Sequence, residues 1–212
     1  LMLLMTVLIA VFFLLNLLLG SVPIPLRAIC EMLLGHEGQP VVWQNILWKS
    51  RVPQALTALV AGAALSVSGL QMQTVFRNPL ADPSVLGVSA GASLGVAFVV
   101  LLSGAIGGVA LSRLGYLGEI ALSVAAILGS LSVLALIVFI STKVKGNVTL
   151  LIIGVMIGYV ANAIIGVLKF FSVEEDIRAY VIWGLGSFAR VSGDQMLLFV
   201  TLMAMLIPLS FL

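Results

Sequence analysis

Six stretches without a charged residue restrict the fold of this chain more than any other feature. Asp, Glu, Lys and Arg are absent from residues 1–26, 52–76, 83–112, 120–142, 146–168 and 195–212. Each stretch offers roughly the 20 apolar residues that a helix needs to cross a bilayer, and none alternates apolar and polar residues as a membrane β-strand does. The pattern predicts an all-α integral membrane protein, a polytopic helical bundle with spans near 2–20, 54–75, 84–102, 120–140, 149–168 and 195–212.

Composition supports lipid as the solvent and excludes several classes of function. Hydrophobic residues make up 62% of the chain, charged residues 8%, and the mean hydropathy is +1.28. The net charge of +2 comes without a cluster of Lys and Arg, which excludes a nucleic-acid partner. Cys30 is the single cysteine and His36 the single histidine, so a disulfide framework, a metal site and a histidine-based catalytic centre are not expected. The sequence therefore predicts no catalytic residue, no cofactor and no metal.

The turn after the second span is the sharpest break in the chain. Asn78 precedes Pro79, which disfavours the helical conformation and ends the span there. Asp82 occupies the position of a helix N-cap, and Pro83 follows at the first helical position. The pattern predicts a tight helix–break–helix turn in which Arg77 and Asp82 form a candidate ion pair.

Three further segments carry signals of helix starts outside the predicted spans. Residues 24–34 read as a short interfacial helix whose apolar side comprises Leu26, Ile29, Leu33 and Leu34. Residues 172–175, Ser-Val-Glu-Glu, read as a capping box that opens a short surface helix ending at Gly184. Residues 192–195, Ser-Gly-Asp-Gln, read as a second capping box that opens the last span.

Two spans carry a small residue at every fourth position. The stripe in the third span comprises Gly87, Gly91 and Gly95, and the stripe in the fifth comprises Gly154, Gly158, Asn162 and Gly166. Small residues let helix backbones approach closely in lipid, which is the function predicted for the third span. The amide of Asn162 near the middle of the membrane should face other helices or a water-filled cavity. The fifth-span stripe therefore serves either close packing or a transport pathway.

The spans contain no charged residue in their interior, which argues against an ion-coupled carrier that powers itself. The chain also lacks the Gly-rich loop ending in Gly-Lys-Ser/Thr that binds the phosphates of ATP. Leu1 and Leu212 both lie within hydrophobic runs, so the chain is expected to be truncated at its C-terminus and also at its N-terminus. A self-contained six-helix channel or facilitator and a nonfunctional truncated remnant both stay open as alternatives to a transporter subunit.

Several segments occur in an order that resembles the permease subunits of ABC importers for iron–siderophore complexes, haem and vitamin B12. They are Arg51-Val-Pro-Gln54, Ala61-Gly-Ala-Ala-Leu65, Ser68-Gly-Leu-Gln-Met-Gln73, Phe76-Arg-Asn-Pro-Leu-Ala-Asp-Pro83, Leu86-Gly-Val-Ser-Ala-Gly-Ala-Ser-Leu-Gly95 and Trp183-Gly-Leu-Gly-Ser187. The resemblance extends from about residue 20 to about residue 200. It implies that the chain is the N-terminal two-thirds of such a subunit, with about six of ten helices.

The resemblance also implies the setting in which such a subunit works. Residues 1–212 would form a single transmembrane permease domain in the bacterial cytoplasmic (inner) membrane. Its partners would be a second permease copy in a homodimer, cytoplasmic ATP-binding subunits and an extracytoplasmic substrate-binding protein. The permease would not be an enzyme, because ATP would be hydrolysed on the separate ATPase subunits. It would move an iron–siderophore complex, haem or cobalamin by ATP-driven alternating access.

The resemblance further implies roles for individual residues. Arg51 matches the first arginine of the family's Arg-Leu-Pro-Arg motif, which docks the binding protein, whereas Gln54 stands in place of the second. The fifth-span stripe would line the translocation path. The cytoplasmic gate would lie at the turn into that span, at Asn147, Val148 and Thr149. The motif with Arg77, Asn78, Pro79, Asp82 and Pro83 would form a cytoplasmic turn.

Overall fold

The computed structural model describes residues 1–36, 38–105, 116–144, 146–189 and 191–211, except for the side chains of residues 103–105, 116 and 147. The described residues form helices and no strand. The α-helices are α1 (Met2–Leu18), α2 (Leu26–Leu33), α3 (Val41–Ile46), α4 (Val52–Phe76), α5 (Val88–Ala105), α6 (Tyr116–Ser141), α7 (Asn147–Phe171), α8 (Glu174–Gly184) and α9 (Gly193–Leu209). A π-helical segment, Leu47–Arg51, joins α3 to α4, and a 3₁₀ helix, Pro83–Leu86, precedes α5.

Each of the six predicted spans is a helix, and the predicted all-α fold is confirmed. Among the described residues, three helices are long and apolar enough to cross a membrane: Val41–Phe76, Leu117–Ser141 and Val148–Phe171. Three shorter apolar helices correspond to the other predicted spans: Met2–Leu18, Val88–Leu102 and Gly193–Leu209.

The second span begins well before the predicted residue 54. The helix runs without interruption from Val41 through the π-helical segment to Phe76. Pro53 has no backbone N–H and its ring crowds the carbonyl four residues earlier, so a regular α-helical turn before it is disfavoured. The wider π turn before Pro53 accommodates both constraints without ending the helix. Pro53 therefore changes the backbone hydrogen bonding within one continuous helix. The sequence instead predicted that the second span starts beside this proline.

The chain divides into two compact units, one comprising residues 1–67 and 187–212 and the other residues 68–186. In the first unit, α2 packs through Ala28, Ile29 and Met32, which are buried beside Leu17 of α1. The predicted short helix is confirmed, and its position at the membrane interface stays a prediction. Its predicted apolar side and its buried face share only Ile29. Leu26, Leu33 and Leu34 are exposed, whereas Ala28 and Met32 belong to the buried face.

In the second unit, α5 packs against α6, α7 and α8. Gly91 lies directly on Gly129 of α6, since a Cβ atom added at Gly91 would be 2.7 Å from the Gly129 carbonyl oxygen. Gly95 lies equally close to the backbone of Ala125. The predicted close-packing role of the third-span stripe is confirmed, because only glycine allows two helix backbones to approach this closely.

One predicted capping box is confirmed and the other is wrong. Ser192 and Gln195 exchange the two side-chain–backbone hydrogen bonds of a capping box at the start of α9. At α8 the N-cap residue is Val173, which provides no side-chain bond. The Ser172 hydroxyl instead donates to the carbonyl oxygens of Leu168 at 2.6 Å and Leu101 at 3.1 Å. The Ser172 hydroxyl therefore links the end of α7 to α5. Helix α8 starts at Glu174, one residue later than an N-cap at Ser172 requires.

Candidate functional site

The turn between α4 and α5 is held by hydrogen bonds within its own segment. The Asn78 side-chain oxygen accepts from the backbone N–H of Leu80 at 3.0 Å, and Asp82 accepts from the N–H of Ser84 at 2.7 Å. The hydrogen bonds from the Ser84 side chain and backbone hold the pKa of Asp82 below its usual range. Asp82 is the N-cap and Pro83 opens the helix, as predicted, but the helix is a short 3₁₀ turn rather than the start of α5.

The candidate ion pair between Arg77 and Asp82 does not form. An ion pair does join Arg27 and Glu31 of α2, where Nε and Oε1 lie 2.9 Å apart. The Asp82 carboxylate instead accepts a hydrogen bond from the Ser84 hydroxyl. Arg77 adopts a left-handed backbone conformation with φ of 49°. The turn is thus ordered by caps and backbone geometry rather than by a pair of opposite charges.

The 3₁₀ helix lies against α7 with no side chain between the two backbones. A Cβ atom at Gly154 would be 2.7 Å from the Cα of Leu86, and one at Gly87 would be 2.9 Å from the Gly154 carbonyl oxygen. Gly87 also has a positive φ of 75°, which redirects the chain from the 3₁₀ helix into α5. These two glycines bring α5 and α7 together at one end and leave a groove between them further along.

The groove between α5 and α7 has a volume of about 380 Å³. It is lined by Ser84, Val85, Gly87, Ser89, Ala90, Ser93, Gly154, Val155, Gly158, Tyr159 and Asn162. Its polar side chains are hydroxyls and one amide, and none of these described lining residues carries a charge. Asn162 lies 15 residues into α7, about 22 Å along the helix axis, which places its amide deep within a membrane-spanning helix.

The structure divides the predicted fifth-span stripe into three parts. Gly154 is buried against Leu86, where it serves close packing, and it also lines one end of the groove. Gly158 and Asn162 line the groove. Gly166 does not line it, and a Cβ atom added there would meet no described atom within 4 Å. The role of these residues in a translocation path stays a prediction.

The predicted gate residues lie in the first turn of α7. Val148 and Thr149 are exposed, and Gly146 before the helix has a positive φ of 124°. Asn147 is the first residue of α7, but its side chain lies outside the described residues, as does Lys145. Their role as a gate stays a prediction.

Arg51 is buried, and its guanidinium donates hydrogen bonds to backbone carbonyls of the same chain. One terminal nitrogen, Nη1, donates to the carbonyl oxygens of Leu17 at 2.7 Å and Leu18 at 3.0 Å, and Nη2 donates to that of Val22. These carbonyls belong to the last turn of α1 and the loop after it, where a helix leaves acceptors unsatisfied. The predicted docking role of Arg51 stays a prediction, and a direct contact with a partner would require the guanidinium to leave these three acceptors.

Two side chains of α8 face the interior at its contact with α5. Asp176 is only 6% exposed, and its Oδ2 atom has no hydrogen-bond partner among the described residues. Burial, followed by the neighbouring Glu175 carboxylate, raises the pKa of Asp176. Tyr180 is buried one turn later, and burial raises its pKa, an effect that the nearby Ser93 hydroxyl partly offsets. The Lys169 ammonium nitrogen lies 4.8 Å from the centre of the Tyr180 ring.

The sequence pattern missed the α5 wall of the groove and, on the α7 wall, Tyr159. Ser89, Ser93 and Tyr159 were not predicted as site residues, although all three line the groove. Ser89 and Ser93 are four residues apart and so share a helix face, next to the glycine stripe of the same helix. The four-residue spacing of the two serines is the sequence feature that could have predicted this wall. It indicates a site only when α7 is known to pack beside α5.

Comparisons with known proteins identify the family. The profile of the FecCD transport family matches residues 8–212. The vitamin B12 import system permease protein BtuC of Photorhabdus laumondii is 34% identical over 183 residues, which cover 82% of this chain and 52% of the relative. The hemin transport system permease protein HmuU of Yersinia pestis is 36% identical over 157 residues, which cover 74% of this chain and 44% of the relative.

A solved structure, described as an inward-facing conformation of a metal-chelate type ABC transporter, has a similar fold. Its TM-score is 0.72 at 27% identity, and the match covers 94% of this chain and 57% of the other. The chain spans about half the length of the curated relatives it matches. It is a multi-pass membrane protein and belongs to the FecCD transport family.

Proposed function

We propose that the chain is part of the permease subunit of a binding-protein-dependent ABC importer, and that it moves an iron–siderophore complex, haem or cobalamin across the membrane. The groove between α5 and α7 is the observation that supports this function best. It places hydroxyl and amide groups beside an otherwise apolar helix, and such groups within a membrane belong at a helix contact or a water-filled pathway. Membership of the FecCD transport family adds independent support.

Transport would proceed by alternation between outward-open and inward-open arrangements of the permease. ATP binding and hydrolysis on separate subunits would shift the balance between the two arrangements, because partners that contact them differently change their populations. The chain itself contributes path-lining groups and no catalytic residue. In this mechanism Gly158 and Asn162 line the path, and Asn147, Val148 and Thr149 close its cytoplasmic end.

The proposed partners are two cytoplasmic ATP-binding subunits, an extracytoplasmic binding protein and a second permease copy. The proposed location is the bacterial cytoplasmic membrane, with residues 1–212 in one permease domain. The turn from Arg77 to Pro83 lies on the cytoplasmic side, and α8 lies on the opposite side. Arg51 is kept as a candidate for binding-protein docking, although its internal hydrogen bonds favour a structural role.

Reconstitution of the full-length chain tests this function. The permease, its ATPase and its binding protein are placed in liposomes, and uptake of radiolabelled cyanocobalamin, haemin and a neutral ferric trihydroxamate is measured with and without ATP. Uptake of at least one chelate only when ATP and the binding protein are both present supports the proposal. Uptake that needs neither ATP nor the binding protein supports the channel or facilitator, and failure to import any probe or to bind an ATPase supports the remnant.

A further inference from the structure

The 3₁₀ helix before α5 touches α7 backbone to backbone. A Cβ atom at Gly154 would lie 2.7 Å from the Cα of Leu86 and 2.9 Å from the carbonyl oxygen of Val85. From the other side, a Cβ atom at Gly87 would lie 2.9 Å from the Gly154 carbonyl oxygen and 3.3 Å from the backbone nitrogen of Gly158. The two segments therefore meet at a point where each of them has a glycine.

The turn that carries this contact is itself held by hydrogen bonds and packing. The N–H of Ala81 donates to the carbonyl oxygen of Asn78 at 3.0 Å, and the N–H of Val85 donates to that of Asp82 at 3.0 Å. Ala81 and Leu86 are buried, and Leu86 belongs to a hydrophobic cluster to which α6 and α7 also contribute. We therefore expect the turn to keep its shape when it is displaced.

The contact lies close to the proposed cytoplasmic gate. Gly154 follows Thr149 by five residues, about 7.5 Å along the axis of α7. Val148 and Thr149 are exposed, whereas Leu151, between them and Gly154, packs against the cluster that contains Leu86. The first two turns of α7 are thus attached to the turn by a backbone contact and by hydrophobic packing.

We infer that Gly87 and Gly154 are positioning residues for the gate, and that the turn from Arg77 to Leu86 moves as one body with the first two turns of α7 during transport. This inference rests on the proposed function and names the element that positions its gate. A side chain can absorb a small displacement by changing rotamer, whereas two backbones in contact pass the displacement on. The gate at Val148 and Thr149 therefore opens and closes only together with the turn.

The test measures the number of chelate molecules imported per ATP hydrolysed by the reconstituted full-length system. The probe is whichever of cyanocobalamin, haemin and the ferric trihydroxamate the unchanged protein imports. Gly154→Ala should lower this ratio at least about fivefold while ATP hydrolysis continues, because the added Cβ atom separates the turn from α7 and the gate no longer follows the turn. A merely structural role would reduce the amount of folded transporter, which lowers uptake and hydrolysis in proportion and leaves the ratio unchanged.

The matched control is Gly91→Ala, whose added Cβ atom would lie 2.7 Å from the Gly129 carbonyl oxygen, between α5 and α6. It overpacks a backbone contact to a similar degree but leaves the turn and α7 untouched, so its ratio should equal that of the unchanged protein. An unchanged ratio in Gly154→Ala, or an equal fall in Gly91→Ala, overturns the inference while the proposed function stands. Failure of the unchanged protein to import any of the three probes overturns the proposed function, and the inference with it.

A distance measurement tests the same inference without altering either glycine, and so applies even where Gly154→Ala does not fold. Leu80 is 84% exposed in the turn, and Thr149 is exposed at the gate, so both positions accept a nitroxide label after Leu80→Cys and Thr149→Cys substitution in a protein without other cysteines. The distance between the two labels should be the same with and without ATP, whereas the reactivity of Thr149→Cys towards a maleimide should change. A label distance that changes with ATP, or a thiol reactivity that does not, overturns the inference.

Discussion

Arg51 secures the end of α1 by donating to carbonyls that the helix leaves without partners. Arg51→Gln should lower the free energy of unfolding by about 3 kcal/mol, because hydrogen bonds from a buried charged group are lost. Gly20→Ala should lower it less, since the added Cβ atom would lie 2.7 Å from Nη2 and displace the guanidinium. Thermal unfolding of the full-length protein in detergent measures both effects.

Gly62→Ala is the control for Gly20→Ala, because a Cβ atom at Gly62 meets nothing within 4 Å among the described atoms. Its unfolding temperature should not fall. If Arg51→Gln leaves the unfolding temperature unchanged but weakens the affinity for the binding protein, the internal role is wrong and docking is the function of this residue.

The carboxylate of Asp176 is buried beside Glu175, and one of its oxygens has no partner among the described residues. Its pKa is raised above the usual 3.8 in the folded protein, so the folded state holds its proton more tightly than the unfolded state. Stability therefore falls as the pH rises above the unfolded pKa and through the folded pKa. Asp176→Asn should stabilise the protein by about 1 kcal/mol at pH 7, or about 2–4 °C in unfolding temperature.

Unfolding temperatures of Asp176→Asn and the unchanged protein, measured from pH 7 downwards, should converge as the pH approaches the unfolded pKa. Glu174→Gln is the matched control, because Glu174 belongs to the same first turn but is exposed. A gain of similar size in the control, or a gain for Asp176→Asn that is independent of pH, contradicts the account.

Contacts between helices depend on single glycines, and α5 shows this most clearly. A Cβ atom at Gly91 would lie 2.6 Å from the Cγ2 of Val133 and 2.7 Å from the Gly129 carbonyl oxygen. Gly91→Ala should therefore lower the free energy of unfolding by about 1–3 kcal/mol, as overpacking does. Gly69→Ala, where a Cβ atom meets no described atom within 4 Å, should be neutral or slightly stabilising. Equal unfolding temperatures for the two variants would show that α5 and α6 do not pack through this glycine.

The uncharged stretches predicted the six long apolar helices because the cost of placing charge in lipid marks the spans directly. They could not predict the π-helical segment before Pro53 or the 3₁₀ turn before Gly87, which depend on local hydrogen-bond geometry. The wrong prediction of a cap at Ser172 has a similar cause. Its hydroxyl is drawn to Leu101, which is 71 residues away and whose position the local pattern does not contain.

For the molecule as a whole, the sequence pattern found one wall of the groove and missed the other. Asn162 is conspicuous because an amide is unusual within a long apolar helix. Ser89 and Ser93 are not conspicuous, since serine is common in membrane helices and satisfies itself on its own backbone. Which helices become neighbours is decided by glycine contacts between distant segments, such as Gly87 with Gly154, and a helical period does not encode such pairings.

Gly158→Leu tests whether the groove is part of the transport path. The leucine side chain would project into a space that the glycine leaves open, where the described atoms within 4 Å of an added Cβ atom belong to Ala90 and Gly87. ATP-dependent uptake by the full-length protein should fall at least about tenfold, while Gly166→Leu, outside the groove, should retain it. Equal loss in both variants would indicate that bulk on α7 disturbs packing rather than the path.

The most direct test of the central claim is thiol accessibility along α7. A full-length permease without other cysteines, including the exposed Cys30, receives one cysteine at a time and is labelled with a membrane-impermeant maleimide. Asn162→Cys and Tyr159→Cys in the groove should react, and the imported chelate should protect both. Val160→Cys, exposed on the other side of α7, should stay unlabelled in the bilayer. An unreactive Asn162→Cys, or a reactive one that the chelate does not protect, would contradict the claim that cargo passes between α5 and α7.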